Sequence, residues 1–340
     1  MMGKWILFFV LFLVYSIDGH PQRDFRVMFY NVENLFDTKD NPATFDDDFL
    51  PEGNQRWNDY RYWKKLHDIS KVITMVGEGD PPAIVGLCEV ENDSVLFDLT
   101  RRASLARHKY NYVISQSTDP RGMNVALLYQ RDDMQLLNKK EYFPSFDSRS
   151  ILHVVGKVVN GDTLDVFVCH FHSRRGGIKQ TRPYRIESAA ILKQKTDSLV
   201  GVRKRPHIVI MGDFNDYPDD ISLSEVLAAK SLNDSIHNDS LYNLFRYRIE
   251  GKKIPQIKQG SYKYRGKWNY LDQIIVNGIL LSPSSRTRIK TSQAYVYAAD
   301  FLLEEDTKGG MKPFRTYSGF RYLGGYSDHL PIYLDLILER

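Results

Sequence analysis

Short apolar runs recur along the chain and are separated by polar turns. Runs that alternate apolar and polar residues, or that stay apolar and rich in Val, Ile, Phe and Tyr, are typical of β-strands. The predicted strands cover residues 25–31, 83–88, 110–115, 124–130, 151–159, 164–170, 207–213, 269–277 and 330–338. The chain therefore has a large β component.

Two longer stretches between these strands show helical spacing instead. Residues 60–76 carry Leu66, Ile69 and Ile73 one turn apart, and residues 182–200 show the same period. Helices and strands thus interleave along the chain, without a repeat or a Pro/Gly/Ser-rich linker. A chain of 340 residues with this organisation predicts one large α/β sandwich or barrel.

Three stretches fit neither pattern: residues 40–59, 233–268 and 297–326. Loops this long in a compact domain are usually either functional or mobile. We expect these segments to select the substrate.

The N-terminal segment differs from the rest of the chain. An apolar run that follows Lys4 is too short to span a bilayer and is typical of a secretory signal peptide. We predict a signal peptide over residues 1–19, cleaved near 16–19, and a single catalytic domain over residues 20–340. The protein is then exported, either to the periplasm or to the extracellular space.

The composition is that of an ordinary soluble globular protein, with 42% hydrophobic and 26% charged residues. Only Cys88 and Cys169 are present, and each ends an apolar run, so we predict buried free thiols. The formal net charge of +4 is too small to indicate a nucleic-acid partner by itself.

Polar residues of catalytically useful types stand where the predicted strands end or begin. They are Asn31, Glu33, Glu89, His170, Asp213, Asn215, Asp272, Asp328 and His329. If the strands share one edge, these side chains converge on a cleft. Such a set suits phosphoryl transfer, in which the charge on the phosphate and on the leaving oxygen must be neutralised.

Carboxylates in this set fit a hard divalent cation. Mg²⁺ takes one or two carboxylates, keeps several waters and binds phosphate oxygens of the substrate. Glu89 and Asp328 are the predicted ligands, with Mn²⁺ or Ca²⁺ as alternative cations. Asp213, close to the neutral Asn215, is predicted to orient or deprotonate the attacking water.

The two histidines suit proton transfer and charge stabilisation. If Asp272 holds His329, the imidazole keeps one tautomer and a raised pKa, and its protonated form stabilises charge at the phosphorus. His170 is predicted to protonate the leaving oxygen.

The joint pattern, in chain order from Asn31 to His329, resembles the endonuclease/exonuclease/phosphatase superfamily. This superfamily includes pancreatic deoxyribonuclease, abasic-site endonucleases, inositol polyphosphate 5-phosphatases and bacterial sphingomyelinases. The resemblance implies a mixed α/β (α+β) fold, a four-layer sandwich of two mixed β-sheets flanked by helices. It also implies metal-dependent hydrolysis of phosphoric esters.

The resemblance implies a role for each matching position. Glu89 would be the principal metal ligand, Asp328 would lie near the metal, and Asn31 and Glu33 would help to place metal and phosphate. His170 would face the phosphate and His329 would contact it, with Asp272 orienting His329. Asp213 and Asn215 would activate the attacking water.

Departures from the family patterns indicate which branch of the superfamily the chain resembles. Gln273 follows Asp272 where 5-phosphatases carry Arg, and Cys88 precedes Glu89 where abasic-site enzymes carry Gln. The segments 88–93 (CEVEND) and 170–177 (HFHSRRGG) look like those of secreted bacterial nucleases.

Basic residues cluster just after His170 and again over residues 252–268, where they alternate with aromatic residues. This composition is typical of single-stranded nucleic-acid binding, but also of a solvated basic face with buried aromatic stems. Arg182 and Arg185, at the start of the second predicted helix, are the predicted phosphate contacts.

The leading hypothesis is therefore a secreted Mg²⁺-dependent phosphodiesterase, an endonuclease acting on DNA or RNA, monomeric and without stable membrane insertion. A phosphatase or a sphingomyelinase-like phospholipase C is the alternative enzyme, and residues 319–326 (GFRYLGGY) are a candidate apolar hairpin for a lipid substrate. A non-catalytic binding module is a third alternative, although Glu89, Asp213 and His329 are all retained.

Overall fold

The computed structural model describes residues 24–246 and 260–339. The predicted signal peptide and the first part of the basic segment 252–268 lie outside these residues. Within them, no helix combines the length and the apolarity that crossing a bilayer requires.

The described residues form two large mixed β-sheets and several small hairpins. The strands are β1 (Phe25–Leu35), β2 (Ile84–Val90), β3 (Asn111–Ile114), β4 (Asn124–Tyr129), β5 (Met134–Tyr142), β6 (Ile151–Val158), β7 (Thr163–His170), β8 (His207–Asp213), β9 (Leu241–Asn243), β10 (Tyr262–Tyr264), β11 (Lys267–Asn269), β12 (Asp272–Asn277), β13 (Thr287–Ile289), β14 (Tyr295–Val296), β15 (Leu303–Glu305), β16 (Met311–Pro313), β17 (Tyr317–Ser318), β18 (Arg321–Tyr322) and β19 (Ile332–Leu338). The α-helices are α1 (Asp59–Val76), α2 (Asp93–Phe97), α3 (Ile178–Val202) and α4 (Gly278–Leu281).

The spatial order of strands in the first sheet is β13-β19-β1-β2-β4-β3, with β14 also paired to β19. The order in the second sheet is β5-β6-β7-β8-β12-β9. Three apolar clusters separate the layers. One fills the space between the sheets, one lies between the first sheet and α1, and one lies between the second sheet and α3. The fold is therefore the four-layer sandwich that the resemblance implied.

Residue alternation assigns the two faces of each strand. In β1, Val27 and Phe29 face the second sheet, whereas Met28 and Tyr30 face α1. Each such side chain contributes about 1.5–3 kcal/mol when it is fully buried. The sheets approach closely, since a Cβ atom on Gly86 would lie 2.7 Å from the Met211 Cε atom of the opposite sheet.

Strand direction brings the polar residues together. β1 runs parallel to β2, and β7 runs parallel to β8, so each pair ends at a common edge. β19 is antiparallel to β1, and β12 is antiparallel to β8, so these two strands begin at that edge. Strand ends and strand starts therefore meet at one mouth of the sandwich.

All predicted strands are present in the structure, and α1 begins one residue before its predicted start. The second predicted helix begins earlier than expected, at Ile178, and continues through Pro183. β5 was not predicted because its exposed Lys and Glu residues break the apolar pattern. Cys88 and Cys169 are buried free thiols, as predicted.

Candidate active site

Three of the predicted residues form a row on neighbouring strands of the second sheet. His170 pairs in register with Asp213, which in turn pairs with Asp272. All three continue the inward-facing positions of their strands, and all are buried. The row therefore faces the first sheet across the mouth of the sandwich.

Asn31 and Glu89 complete the cluster from the first sheet. The Asn31 Nδ2 atom donates to Asp213 Oδ2 at 3.1 Å and to Glu89 Oε1 at 3.3 Å. Glu89 Oε1 also lies 4.0 Å from His170 Nε2. A single amide thus links the carboxylates of the two sheets.

Glu89 reaches this cluster because the backbone of β2 departs from regular geometry. In a regular strand Glu89 would point to the face opposite Cys88, which packs between the sheets. Instead Glu89 has a φ of 61°, and the β2–β4 register shifts between Cys88 and Val90. Left-handed conformations of non-glycine residues are costly and often mark functional sites. Glu33, Asn34 and Asn215, at the same edge, share this conformation.

His329 comes from the segment before β19 and pairs with Asp272. Its Nδ1 atom lies 2.7 Å from Asp272 Oδ2, and its Nε2 atom lies 3.8 Å from Asp213 Oδ2. The Ser327 hydroxyl donates to Asn31 O at 2.7 Å and accepts from His329 N at 3.1 Å. This serine fixes the polar segment that leads into an otherwise apolar strand.

The hairpin β10–β11 covers the other side of His329. The Tyr262 ring packs on the imidazole with centroids 4.7 Å apart. Ser261 accepts a hydrogen bond from Asp272 N through its hydroxyl and one from Leu330 N through its carbonyl. The His–Asp pair is therefore held by the backbone on both sides.

Burial and charge shift the titration of this cluster in opposite directions. Burial raises the pKa of Asp213 to about 7. Burial opposes the charged form of His329, but Asp272 and Asp213 outweigh it and raise its pKa well above the usual value. Burial, with Arg149 and Arg121 nearby, lowers the pKa of His170 well below its usual value.

The lowered pKa of His170 favours its neutral form, and its role as the general acid stays a prediction. An imidazole with so low a pKa carries no readily available extra proton at neutral pH, which weighs against that role. It lies 3.8 Å from Asp213, and its Nδ1 atom has no hydrogen-bond partner within residues 24–246 and 260–339. His170 therefore lies inside the cluster, beside Asp213 and Glu89.

Glu33 was predicted to help place the metal, but its oxygens are already engaged. Oε2 accepts from Thr316 N at 2.7 Å, and Oε1 accepts from Tyr317 N at 3.4 Å. Asn31 was also predicted near the metal. Its Oδ1 accepts from Glu33 N, so the amide presents Nδ2, which donates and does not ligate cations, to the cluster. Both residues organise the site through these hydrogen bonds, and their contact with a metal stays a prediction.

The structure does not offer Arg185 to a phosphate. Its side chain is fully buried and pairs with Asp216 at 2.7 Å. Because α3 begins at Ile178, Arg182 and Arg185 lie beyond the first turn, where the helix no longer presents free N–H groups. Arg182 is half-buried on the second turn. Arg174, from the same basic cluster, also pairs with Asp216.

Two arginines at this mouth of the sandwich were not predicted from the sequence. Arg149 is buried, donates to Asp119 and to Phe171 O at 2.7 Å each, and acts electrostatically on His170. Arg121 lies beside Asp119 at 3.5 Å and is more exposed. Arg149 precedes β6, which is antiparallel to the strand that ends in His170. Arg121 precedes β4, which is antiparallel to the strand that carries Glu89. The pairing of these strands is the feature that could have indicated both arginines.

Asp328 and Glu89 are the carboxylates that fit a divalent cation. Their side chains are 22% and 17% exposed and border the same cluster. Glu89 is fixed by Asn34 N at 2.8 Å, and Arg315 pairs with Asp328 at 3.0 Å. Oxygen donors of this kind match Mg²⁺ and similar hard cations.

A second group with ligand chemistry lies deeper. Single atoms of Asp213, Asp272 and His329 lie within 4.8 Å of one another. Because the Nδ1 atom of His329 is already paired with Asp272, we assign this group to the His–Asp pair and not to the cation.

A buried lysine ties α1 to the segment that delivers Asp328 and His329. We call residues 315–327 the strap. The Lys65 Nζ atom donates to Thr316 Oγ1 and to Tyr326 O, each at 2.5 Å. Burial lowers the pKa of Lys65 to about 8, even though Glu33 opposes this shift.

Replacing Lys65 with Met is expected to destabilise the fold by about 3 kcal/mol, because Glu33 loses a buried counter-charge. It should also reduce kcat, since the strap no longer fixes Asp328 and His329. Urea unfolding and steady-state rates measure both effects. Lys64→Met is the matched control: this half-exposed lysine donates to Gly324 O, and its loss should cost less than about 1 kcal/mol. Equal stability of the two variants would refute the role of Lys65.

The sequence profile of the Endonuclease/Exonuclease/phosphatase family matches residues 26–338. The chain belongs to this family. Its members are metal-dependent phosphoric ester hydrolases, and this chain is an enzyme of that class. The match spans both sheets and every strand that contributes to the site.

Solved structures agree with the family fold at low sequence identity. An endonuclease/exonuclease/phosphatase family protein from Bacteroides thetaiotaomicron superposes with a TM-score of 0.57 at 16% identity, covering 93% of this chain and 95% of that one. A Bacteroides thetaiotaomicron mannosyl-6-phosphatase gives 0.54 at 17% identity, covering 92% and 99%. D. rerio TDP2 complexed with a single-strand DNA product gives 0.54 at 14% identity, covering 92% and 98%. No curated protein matches the chain in sequence.

Proposed function

We propose that this enzyme is an exported Mg²⁺-dependent phosphodiesterase that cleaves DNA or RNA as an endonuclease. The observation that carries the proposal is the convergence of Glu89, Asn31 and His170 with Asp213 and the Asp272–His329 pair at one mouth of the sandwich. These groups neutralise charge on both sides of a phosphate, as phosphoryl transfer requires.

Each side chain has a place in this proposal. Asp213, fixed by Asn215 N at 2.9 Å, orients the attacking water and accepts its proton. His329, held as imidazolium by Asp272, donates a hydrogen bond to a phosphoryl oxygen, and the Asn31 amide holds Asp213 and Glu89 in place around it. His170 faces the same phosphate. Glu89 and Asp328 would hold the Mg²⁺, which supplies Lewis-acid neutralisation of phosphate charge when bound.

The nucleic-acid substrate is supported by the surroundings of the mouth. Arg121, whose side chain is 45% exposed, places positive charge near His170. Tyr264, beside Arg265, is 54% exposed on the hairpin that covers His329. Cations and exposed rings next to a phosphodiester centre suit single strands and loops. Export rests on the N-terminal signal pattern alone.

Incubation of the mature protein with plasmid DNA and with RNA tests the proposal. We expect nicking and degradation in millimolar Mg²⁺, complete loss of cleavage in EDTA, and recovery when Mg²⁺ is restored. Mn²⁺ and Ca²⁺ in place of Mg²⁺ establish the preferred cation. Metal-replete protein that cleaves neither DNA nor RNA would exclude the nuclease function.

A phospholipase C-like or phosphatase activity is the second candidate. The segment 319–326 contributes to the hairpin β17–β18, and Phe320 at its tip is 65% exposed, as a lipid-contacting residue requires. The mannosyl-6-phosphatase among the similar structures supports a small phosphate substrate. Release of phosphocholine from sphingomyelin liposomes, or of phosphate from sugar phosphates, without cleavage of nucleic acid would favour this candidate.

A further inference from the structure

Three aromatic rings form a wall two residues beyond His170. Phe146 and Tyr184 have ring centroids 4.6 Å apart, and His172 lies 4.7 Å from Tyr184 and 5.8 Å from Phe146. The rings come from the loop after β5, from α3 and from the segment after β7. We call these three residues the ring wall.

The ring wall is built rather than incidental. Ser145 N donates to Glu187 Oε1 at 2.6 Å, which fixes the loop carrying Phe146 to α3. Phe171 O accepts from Arg149 at 2.7 Å and from Asn215 Nδ2 at 3.1 Å, and His172 O accepts from Arg185. The backbone of His172 is therefore fixed to the site and to the helix.

The ring wall remains open to solvent on one side. Tyr184 is 39% exposed. The His172 Nδ1 atom is buried and has no hydrogen-bond partner in the described part of the chain. Burial and the nearby Arg149 lower the pKa of His172, so its ring is neutral and suited to stacking.

The position of the ring wall relates it to the reacting phosphate. Two extended residues span about 7 Å, so His172 lies within the reach of one nucleotide from His170. Arg149 acts electrostatically on both His170 and His172, and the more exposed Arg121 lies beside the same Asp119 that pairs with Arg149. Stacking surface beside cationic charge is the combination that binds a base and its phosphate together.

The geometry points to the ring wall as a nucleobase subsite, in which a base flanking the scissile phosphate stacks on the exposed ring of Tyr184. This inference rests on the proposed nuclease function and names the part of the substrate that the enzyme recognises. It implies that the enzyme distinguishes nucleotides from other phosphate esters.

Calorimetric titration of the Mg²⁺-loaded mature protein tests this subsite without turnover. Deoxyadenosine monophosphate carries the base, whereas deoxyribose phosphate has the same sugar and phosphate without it. We expect the nucleotide to bind about tenfold or more tightly, since stacking of one base is worth that much. Tyr184→Ala should remove most of this preference, and Tyr184→Leu should retain part of it.

Phe143→Ala is the matched control, because Phe143 lies on the same loop, is 50% exposed and has no part in the three ring contacts. It should leave the preference unchanged. Equal binding of the two ligands to the wild type, or an intact preference in Tyr184→Ala, overturns the subsite. Cleavage of DNA and RNA is measured separately. Nuclease activity without a preference for the base would contradict the subsite alone. Binding that depends on the base, without cleavage, would contradict the proposed nuclease function alone.

Discussion

Glu89→Gln is expected to lower kcat for cleavage of a defined oligonucleotide by about a thousandfold at saturating Mg²⁺. The amide keeps the size of the side chain but removes the charge that holds the cation, and a bound metal is worth several kcal/mol of transition-state stabilisation. The KM for Mg²⁺ should rise as well. Initial rates over a range of Mg²⁺ concentrations measure both quantities, with thermal unfolding to verify that the variant is folded.

Glu91→Gln is the matched control for Glu89. Glu89 lies at the end of β2 and Glu91 directly after it, yet Glu91 turns away from the cluster and accepts a hydrogen bond from Asp37 N at 2.7 Å. Its replacement should leave kcat within about threefold of wild type, as expected for a residue without a transition-state contact. Comparable losses in the two variants would show that charge in this segment, and not a specific ligand, drives catalysis.

His329→Asn is expected to lower kcat by about a hundredfold to ten-thousandfold, the range found for groups that transfer protons or stabilise developing charge. Asp272→Asn should have a similar effect, because the imidazole loses the partner at 2.7 Å that keeps it charged and oriented. The two residues act as one unit, so the double variant should lose little more than either single variant.

The chain contains an internal control for this pair. His153 Nε2 lies 2.8 Å from Asp165 Oδ1, and both side chains are as buried as the His329–Asp272 pair. His153→Asn should lower the free energy of unfolding without changing kcat per folded molecule. A loss of kcat in His153→Asn as large as that in His329→Asn would mean that any buried His–Asp pair supports activity through stability alone.

Much of the fold followed from the apolar runs along the chain. Both sheets are packed on both faces, so their strands are strongly apolar and can be recognised in the sequence. The positions of His170, Asp213 and Asp272 followed as well. They continue the inward positions of their strands, and strand direction places them in one row. Even Asp328 and His329, which directly precede an apolar strand, could be assigned to the same edge.

The rest depended on features that alternation does not encode. Periodicity places Glu89 on the face opposite Cys88, and only the left-handed backbone at Glu89 turns it into the cluster. Arg185 was expected to meet phosphate because it stood at the start of the predicted helix, and the sequence did not reveal its partner Asp216. Lys65 lies among the apolar positions of α1. A lysine at such a position indicates a buried charge, but the sequence does not identify the groups that pair with it.

The antiparallel pairing of strands explains why Arg149 and Arg121 were not predicted at the site. The residues before an antiparallel strand lie at the same edge as the residues that end its neighbour, and among such residues only acidic, amide and imidazole side chains were predicted at the site. Arg149 precedes β6, and Arg121 precedes β4. Applying this rule requires the pairing of strands, which a single sequence does not supply.

Crystals soaked in Mn²⁺, with anomalous scattering to locate the cation, provide the most direct test of the proposed centre. The expected result is a manganese ion bound to the carboxylates of Glu89 and Asp328, on the side of the sandwich where the His329 imidazole meets Asp213. A cation bound only between Asp213, Asp272 and His329, or only at a distant surface, would contradict the proposed arrangement.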